Sequence, residues 1–357
     1  MTITQHGREQ KQLNKLYEDF DAMGLIPLWT IRDNLMPMSP CPQALPHLWR
    51  WADLLPLAKR SGELVPVGHG CARRAIALSN PGLPGLPYAT PNLWAAIHYL
   101  APHEVAPAHR HSQSAFRFVI EGESVWTNVD GDAVAMRRGD LLLAPSWTYH
   151  EHHNTTDRPM TWIDGLDIPL VSRLDASFFE FGLDTLGTCE TPKRSRGERL
   201  WGHPGLRPIG QPDRSNSPLM AYRWEHTDAA LAAQLELEAE GASSVIEPGH
   251  AGVRFSNPST GKDSLVTIRT EMHRLREGTR TAPVKTVGSA VWQVFEGTGV
   301  ATVGDRRFEL SRGDLFVVPS WDELVLEAGD RLDLFRFSDE PVYEALGLAD
   351  TYRGRSA

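Results

Sequence analysis

Cysteine is scarce in this chain. Its 357 residues contain three, Cys41, Cys71 and Cys189, far apart and in no CxxC or metal-ligand spacing. That scarcity argues against a disulfide framework and a thiolate zinc centre, and it fits a reducing compartment. Long hydrophobic runs are missing too. No stretch approaches the roughly 20 apolar residues of a membrane span, and the N-terminal MTITQHGREQKQLNKLYEDF holds no apolar core of signal-peptide length. The expectation is a cytoplasmic protein with no membrane partner. Positive charge is in the minority, 36 Lys and Arg against 45 Asp and Glu, for a net charge of -9. Such a balance argues against nucleic acid as a partner while leaving room for a locally basic pocket that takes an acidic small molecule.

What is present is an ordinary globular composition, 41% hydrophobic and 23% charged, in a chain long enough for two domains. Leu13, Leu16, Tyr17 and Phe20 fall at helical spacing in a polar background, which predicts an N-terminal helix. From Trp29 to about Pro91 the chain is rich in Pro and Gly, and an irregular arm with short helices is expected. From Leu93 to about Leu170, short β-rich runs alternate with turn signals such as Asp130-Gly131 and Gly139-Asp140, the pattern of a small antiparallel sandwich or barrel. A second set runs from about Val266 to Phe337, after a basic Pro/Gly-rich stretch and a helical segment, HTDAALAAQLELEAE. The organisation read from these signals is an arm over 1–92, a β domain over 93–175, a linker with a helix over 176–264, a second β domain over 265–340 and a tail over 341–357.

The two β sets are copies of one another. MRRGDLLLAPSW, Met136 to Trp147, returns as LSRGDLFVVPSW, Leu310 to Trp321, and FRFVIEG ending at Gly122 returns as WQVFEG ending at Gly297. Two separated blocks recurring in order indicate an internal duplication.

Only the first copy carries a metal-site pattern. His109 and His111 lie at i and i+2 in APAHRHSQSAFRFVIEG, so on one strand they share a face, and a neighbouring strand delivers His150 from RRGDLLLAPSWTYHEHHN. Three neutral imidazoles leave a divalent ion its full charge and open coordination positions. Counting back from Gly297 puts Val284 and Thr286 where the first copy has His109 and His111, and Leu324 takes the place of His150. None of these binds a metal, so the second copy reads as a scaffold.

These residues resemble the cupin superfamily. Gly139, Pro145, His150 and Asn154 match its second signature, with Trp147 in a usual Gly position; His109, His111 and Gly122 match the first, whose Glu slot holds Ala115. More narrowly, WAAIHYLAPHEVAPAHRHSQSAFRFVIEG together with MRRGDLLLAPSWTYHEHHN resembles the gentisate 1,2-dioxygenase family, close to salicylate and 1-hydroxy-2-naphthoate dioxygenases. The resemblance implies a mainly β bicupin, two antiparallel jelly-roll barrels with an N-terminal helical arm. It implies one Fe(II) per chain, a small aromatic 2-hydroxy acid and O2 as reactants, and a homotetramer.

Roles follow for residues near the ligands. Arg117 shares strand parity with His109 and His111 and should point inward; by resemblance it binds the substrate carboxylate or an adjacent oxygen, although a structural ion pair is the competing reading. Arg73 matches a second anion-binding arginine, while strand alternation alone leaves Arg73 and Arg74 equivalent. His152 resembles a histidine that hydrogen-bonds substrate or dioxygen, and Asp164 an acidic group near the far side of the ring that could instead bridge to an arginine. Trp94, Ala96 and His98 share a strand face and should flank the ring. Relatives usually carry Gln at His98, so preference for ring substituents is open to change there. A three-histidine dioxygenase of diketones or thiols would not need both arginines. A non-catalytic ligand-binding bicupin would be expected to lack ligands in both copies.

Overall fold

The computed structural model describes residues 3–31, 35–65, 67, 74–182 and 192–349, and the chain divides into units of residues 1–42 and 43–357. The smaller unit is built on helix α1 (Ile3–Ala22), as the spacing of Leu13, Leu16, Tyr17 and Phe20 predicts. Trp29 folds back within it, edge-on to Phe20 at 6.1 Å and donating its indole N–H to the Tyr17 hydroxyl at 3.3 Å.

The larger unit is mainly β. It opens with β1 (His47–Trp49), α2 (Trp51–Leu64) and β2 (Ala75–Ala77). The first cupin follows as β3 (Trp94–Leu100), β4 (Val105–His111), β5 (Ala115–Glu121), β6 (Glu123–Val129), β7 (Asp132–Arg137), β8 (Leu141–Ala144), β9 (His150–Asn154) and β10 (Met160–Leu166). Helix α3 (Ile168–Arg173), β11 (Phe179–Phe181) and α4 (Arg196–Trp201) lead to β12 (Ala221–Tyr222), α5 (Trp224–Ala239) and β13 (His250–Arg254). The second cupin continues through β14 (Arg269–Leu275), β15 (Val284–Lys285), β16 (Ala290–Glu296), β17 (Gly299–Val303), β18 (Arg306–Leu310), β19 (Leu315–Val318), β20 (Glu323–Ala328) and β21 (Leu332–Ser338), and α6 (Glu340–Ala345) ends it.

Each cupin is a sandwich of two antiparallel sheets. In the first, β12-β8-β5-β10-β3-β2 faces β11-β4-β9-β6-β7 across an interior holding Val119, Leu142, Met160 and Trp162 from one sheet and Ala106, Val125 and Met136 from the other. In the second, β1-β19-β16-β21-β14-β13 faces β15-β20-β17-β18. The six-stranded sheets are buried on both faces because their backs pack on each other. Phe118 stacks on Phe335 at 4.0 Å, and Phe116 meets Phe337 edge-on at 4.9 Å, within one core shared by both cupins. That double burial accounts for the nearly continuous burial of β5, in which Phe116, Phe118 and Ile120 serve the shared core while Ala115, Arg117 and Val119 face the interior of the first cupin.

Order along the sheets changes the reading of the arm and the linker. Strand β1 belongs to the second cupin, where His47–Trp49 pairs with Leu315–Val317; β12 belongs to the first, where Ala221 pairs with Leu142. The helix after each strand starts on the same foreign sheet. Asp314 accepts the Trp51 N–H at 2.8 Å and Arg50 at 3.0 Å, while Asp140 accepts the Trp224 N–H at 3.0 Å and Arg223 at 2.6 Å. Both aspartates come from the repeated Arg-Gly-Asp, and both glycines are left-handed, φ +85° at Gly139 and +91° at Gly313. A Cβ there would come within 2.7 Å of Trp224 and 2.2 Å of Trp51. The duplication therefore starts earlier than the β runs suggest: strand, Arg-Trp and helix are repeated too, and the two copies exchange them. The arm's strands β1 and β2 consequently belong to different cupins, and β13, inside the span read as a linker, is an edge strand of the second.

Candidate active site

Strands β4 and β9 lie side by side in the five-stranded sheet with His109 directly opposite His150. His111, two residues further along β4, points from the same face, and one ring nitrogen from each of the three histidines falls within 4.8 Å of the others. All three side chains are buried, at most 3% exposed. Backbone carbonyls set their tautomers: Nδ1 of His109 lies 2.7 Å from the Pro107 oxygen, that of His111 2.8 Å from Gln113, and that of His150 3.1 Å from Thr148. Each Nδ1 thus carries the proton and each Nε2 the lone pair, the form a metal ligand needs. Burial first, then the charges of His109, Arg117, His111 and His152, holds the His150 pKa well below its ordinary value, so the imidazole is neutral. The ring of Phe179, on the edge strand β11 and in register with His111, stacks on His109 at 5.4 Å.

The opposite sheet supplies a polar wall. Registers Ala96↔Asp164↔Arg117 and His98↔Trp162 align these residues across β3, β10 and β5, with all of the side chains facing the interior. Asp164 is the hub: Trp162 Nε1 donates to it at 2.9 Å, His98 Nδ1 lies 3.1 Å away and Arg117 Nε 3.6 Å. His98 stacks on Trp162 at 4.4 Å. Between wall and ligands stands His152, its ring 6.1 Å from His150, 6.2 Å from His98 and 5.4 Å from Trp162. Trp94 lies at the far end of the same face, against Ala115, Ala144 and Leu166.

Arg117, Asp164, Ala96, His98, His152 and the three ligand histidines are therefore gathered in one interior. Arg73 lies outside the described residues. Arg74 is committed elsewhere, paired with Glu104 at 2.5 and 2.7 Å and bonded to the Tyr99 carbonyl at 2.9 Å. Trp162 was missed in the sequence, although its position two residues before Asp164 on a strand would have found it. Trp147 carries φ +68° where the signature usually has Gly, and its N–H donates to the His111 carbonyl at 2.8 Å; Trp321 repeats this with φ +71° and a 2.9 Å bond to Thr286. The second copy thus keeps the scaffold of the site, and Val284 lies opposite Leu324 as His109 does opposite His150.

Three neutral imidazoles beside a buried arginine suit a divalent metal with room for an anionic chelator. The cupin domain family matches residues 96–168. A gentisate 1,2-dioxygenase from Streptomyces sp is 76% identical over 351 residues, covering 98% of both chains. The chain belongs to the gentisate 1,2-dioxygenase family. Within that family a 5-aminosalicylate 1,2-dioxygenase from Comamonas sp is 35% identical over 95% of this chain and 90% of its own length. Salicylate 1,2-dioxygenase from Pseudoaminobacter salicylatoxidans, solved as an adduct with gentisate, superposes with a TM-score of 0.93 at 55% identity, over 95% of this chain and 93% of that one.

Proposed function

We propose that this protein is an iron(II)-dependent gentisate 1,2-dioxygenase, converting gentisate and O2 to maleylpyruvate in its first cupin. The observation that carries the reading is the convergence of His109, His111 and His150 opposite a wall containing Arg117. The donor set fits iron, since three neutral nitrogens leave the ion's charge to be balanced by a substrate carboxylate and phenolate. Iron held there supplies chelation of that substrate and the redox change that ring opening by dioxygen requires, which zinc lacks.

The chain's own residues orient and neutralise. Arg117, fully buried, offers its guanidinium to an anionic oxygen of the substrate, and Asp164 on the adjacent strand fixes its direction. His152 lies between the ligand cluster and the wall, where a ring nitrogen donates or accepts a proton at a substrate oxygen. Ala96 leaves space for the ring, and His98, held by Asp164 and Trp162, presents a polar edge to a ring hydroxyl. With Arg74 tied to Glu104, Arg73 is the arginine of that pair to assign to the substrate anion. The assembly is assigned as a homotetramer, for whose contacts Trp147, Phe178, Phe179 and Phe181 offer exposed aromatic surface. Among the described residues no helix is long and apolar enough to cross a membrane, and a cytoplasmic setting completes the proposal.

The test is oxygen uptake by the iron(II)-loaded protein with gentisate, salicylate and 1-hydroxy-2-naphthoate. Gentisate should give the largest kcat/KM, with one O2 consumed per ring opened. A larger value with either of the other two reassigns the substrate, and no uptake with any of them ends the dioxygenase reading.

A further inference from the structure

The second cupin has lost its ligands but not its interior. A cavity of about 250 Å3 opens where the first cupin has its site, with Val284, Thr286 and Leu324 in place of the three histidines. Registers Glu271↔Arg336↔Trp292 in β14, β21 and β16 repeat Ala96↔Asp164↔Arg117, so the polar wall is retained with its charges rearranged. An acid stands at the Arg336 position of the first copy, an arginine at the Trp292 position, and a small side chain at the Glu271 position.

The balance of charge is inverted as well. Four carboxylates line this cavity, those of Glu247, Glu271, Asp322 and Glu340, against one guanidinium, that of Arg336. Glu271 and Glu340 share Arg336, and each has a second arginine from outside the cavity, Arg269 at 2.7 Å from Glu340 and Arg254 at 3.8 Å from Glu271, so the uncompensated acids are the other two. Glu247 accepts the Ala282 N–H at 2.8 Å and lies 3.3 Å from His250; Lys285 acts on Asp322 from longer range, and among the described residues neither Glu247 nor Asp322 has an arginine or lysine within ion-pairing distance. The remaining wall joins apolar side chains and Trp292 to the imidazoles of His250 and His273 and the hydroxyls of Thr281 and Thr286. Trp292 is 5% exposed, and its indole N–H meets no acceptor among the described residues. A buried donor of that kind calls for a partner.

We infer that the second cupin is a binding site for a small organic cation, an arylalkyl amine bearing an oxygen acceptor. The ammonium group answers the acidic excess at Glu247 and Asp322, the aromatic body fills the apolar floor around Leu324, and the oxygen accepts from Trp292. The cavity equals the liquid volume of roughly eight waters, which suits a molecule of roughly ten non-hydrogen atoms. The first cupin, with its metal site and Arg117, selects an anion; the second, from the same ancestral wall, selects the opposite charge.

Tyramine tests this directly on the iron-loaded protein by titration calorimetry. It should bind with a dissociation constant of about 1 mM or tighter. 4-Hydroxyphenylacetate has the same aromatic body with the charge reversed and should not compete. Phenethylamine, lacking the hydroxyl, should bind several-fold more weakly. Val284→Trp places an indole at the exposed mouth of the cavity, and Glu247→Gln removes one carboxylate. Each should weaken tyramine at least about tenfold while leaving gentisate-driven oxygen uptake unchanged. Absence of heat with tyramine at about 10 mM, undiminished binding in Val284→Trp, or displacement by 4-hydroxyphenylacetate overturns the site; equal binding of phenethylamine overturns the assignment to Trp292.

Discussion

Replacing Arg117 by Ala separates the two roles its geometry allows. In the folded protein the guanidinium and the Asp164 carboxylate are each about 1% exposed and 3.6 Å apart. Removing one member of such a pair costs about 3–5 kcal/mol, because the other charge stays buried. Trp162 and His98 keep hold of Asp164, which places the loss toward the lower end of that range. Catalysis loses a different quantity. A charge-assisted hydrogen bond to a substrate anion contributes about 1.5–3 kcal/mol, so kcat/KM should fall roughly 10- to 150-fold. Iron content should stay near normal, since the ligands sit on β4 and β9 in the facing sheet. The double variant Arg117→Ala/Asp164→Asn distinguishes the roles: with no buried carboxylate left, denaturant unfolding should recover most of the lost stability, whereas kcat/KM should not recover. If both recover together, Arg117 is a structural counter-ion and does not bind substrate.

Other outcomes are equally specific. His109→Ala, His111→Ala and His150→Ala should each abolish iron retention by metal analysis, from one equivalent per chain in the wild type, because two anchors are too few; normal iron in all three removes the site. His98→Gln should change the ratio of gentisate to salicylate kcat/KM with iron binding intact, since His98 shapes the wall and ligates nothing; an unchanged ratio across pH takes His98 out of the wall. Asp167 and Asp339 are each raised from 3.8 to about 6 by burial. An acid whose folded pKa is raised binds protons more tightly when folded, so its contribution is complete below about pH 4 and is lost as pH rises through 6, up to about 3 kcal/mol for each group. Asp167→Asn should therefore narrow the fall in stability between those pH values relative to the wild type, and identical pH profiles of unfolding refute the shift.

The ligand set was legible because it depends on local rules. Strand alternation puts His109 and His111 on one face, and the repeated β pattern returns a neighbouring strand, β9, that brings His150 beside them. The degenerate copy was legible for the same reason, and the pairing of Val284 with Leu324 matches the count made from Gly297. What stayed hidden involves partners distant in sequence. Arg74 finds Glu104 from the far side of the β2–β3 pair, and the hub at Asp164 assembles from β3, β5 and β10. The exchanged strand and helix were hidden because HLWRWADLL and AYRWEHTDA share little beyond Arg-Trp, and a short edge strand among prolines resembles an irregular arm. Glu271 and Arg336 showed no pattern, since a strand sequence does not reveal which charge lies opposite.

The exchange has a consequence for how the molecule comes apart. Cutting the chain in the stretch before β12 would leave two fragments, each holding the strand and helix start that complete the other's sheet and neither holding its own. Asp140 in one fragment would lose Trp224 and Arg223, and Asp314 in the other would lose Trp51 and Arg50. The fragments would reach the native arrangement by mutual embrace, at a rate set by their concentration. A single ancestral copy obeying the same contacts would have closed its sheets only as an arm-swapped dimer, and joining two copies end to end turned that encounter between molecules into one within a single chain.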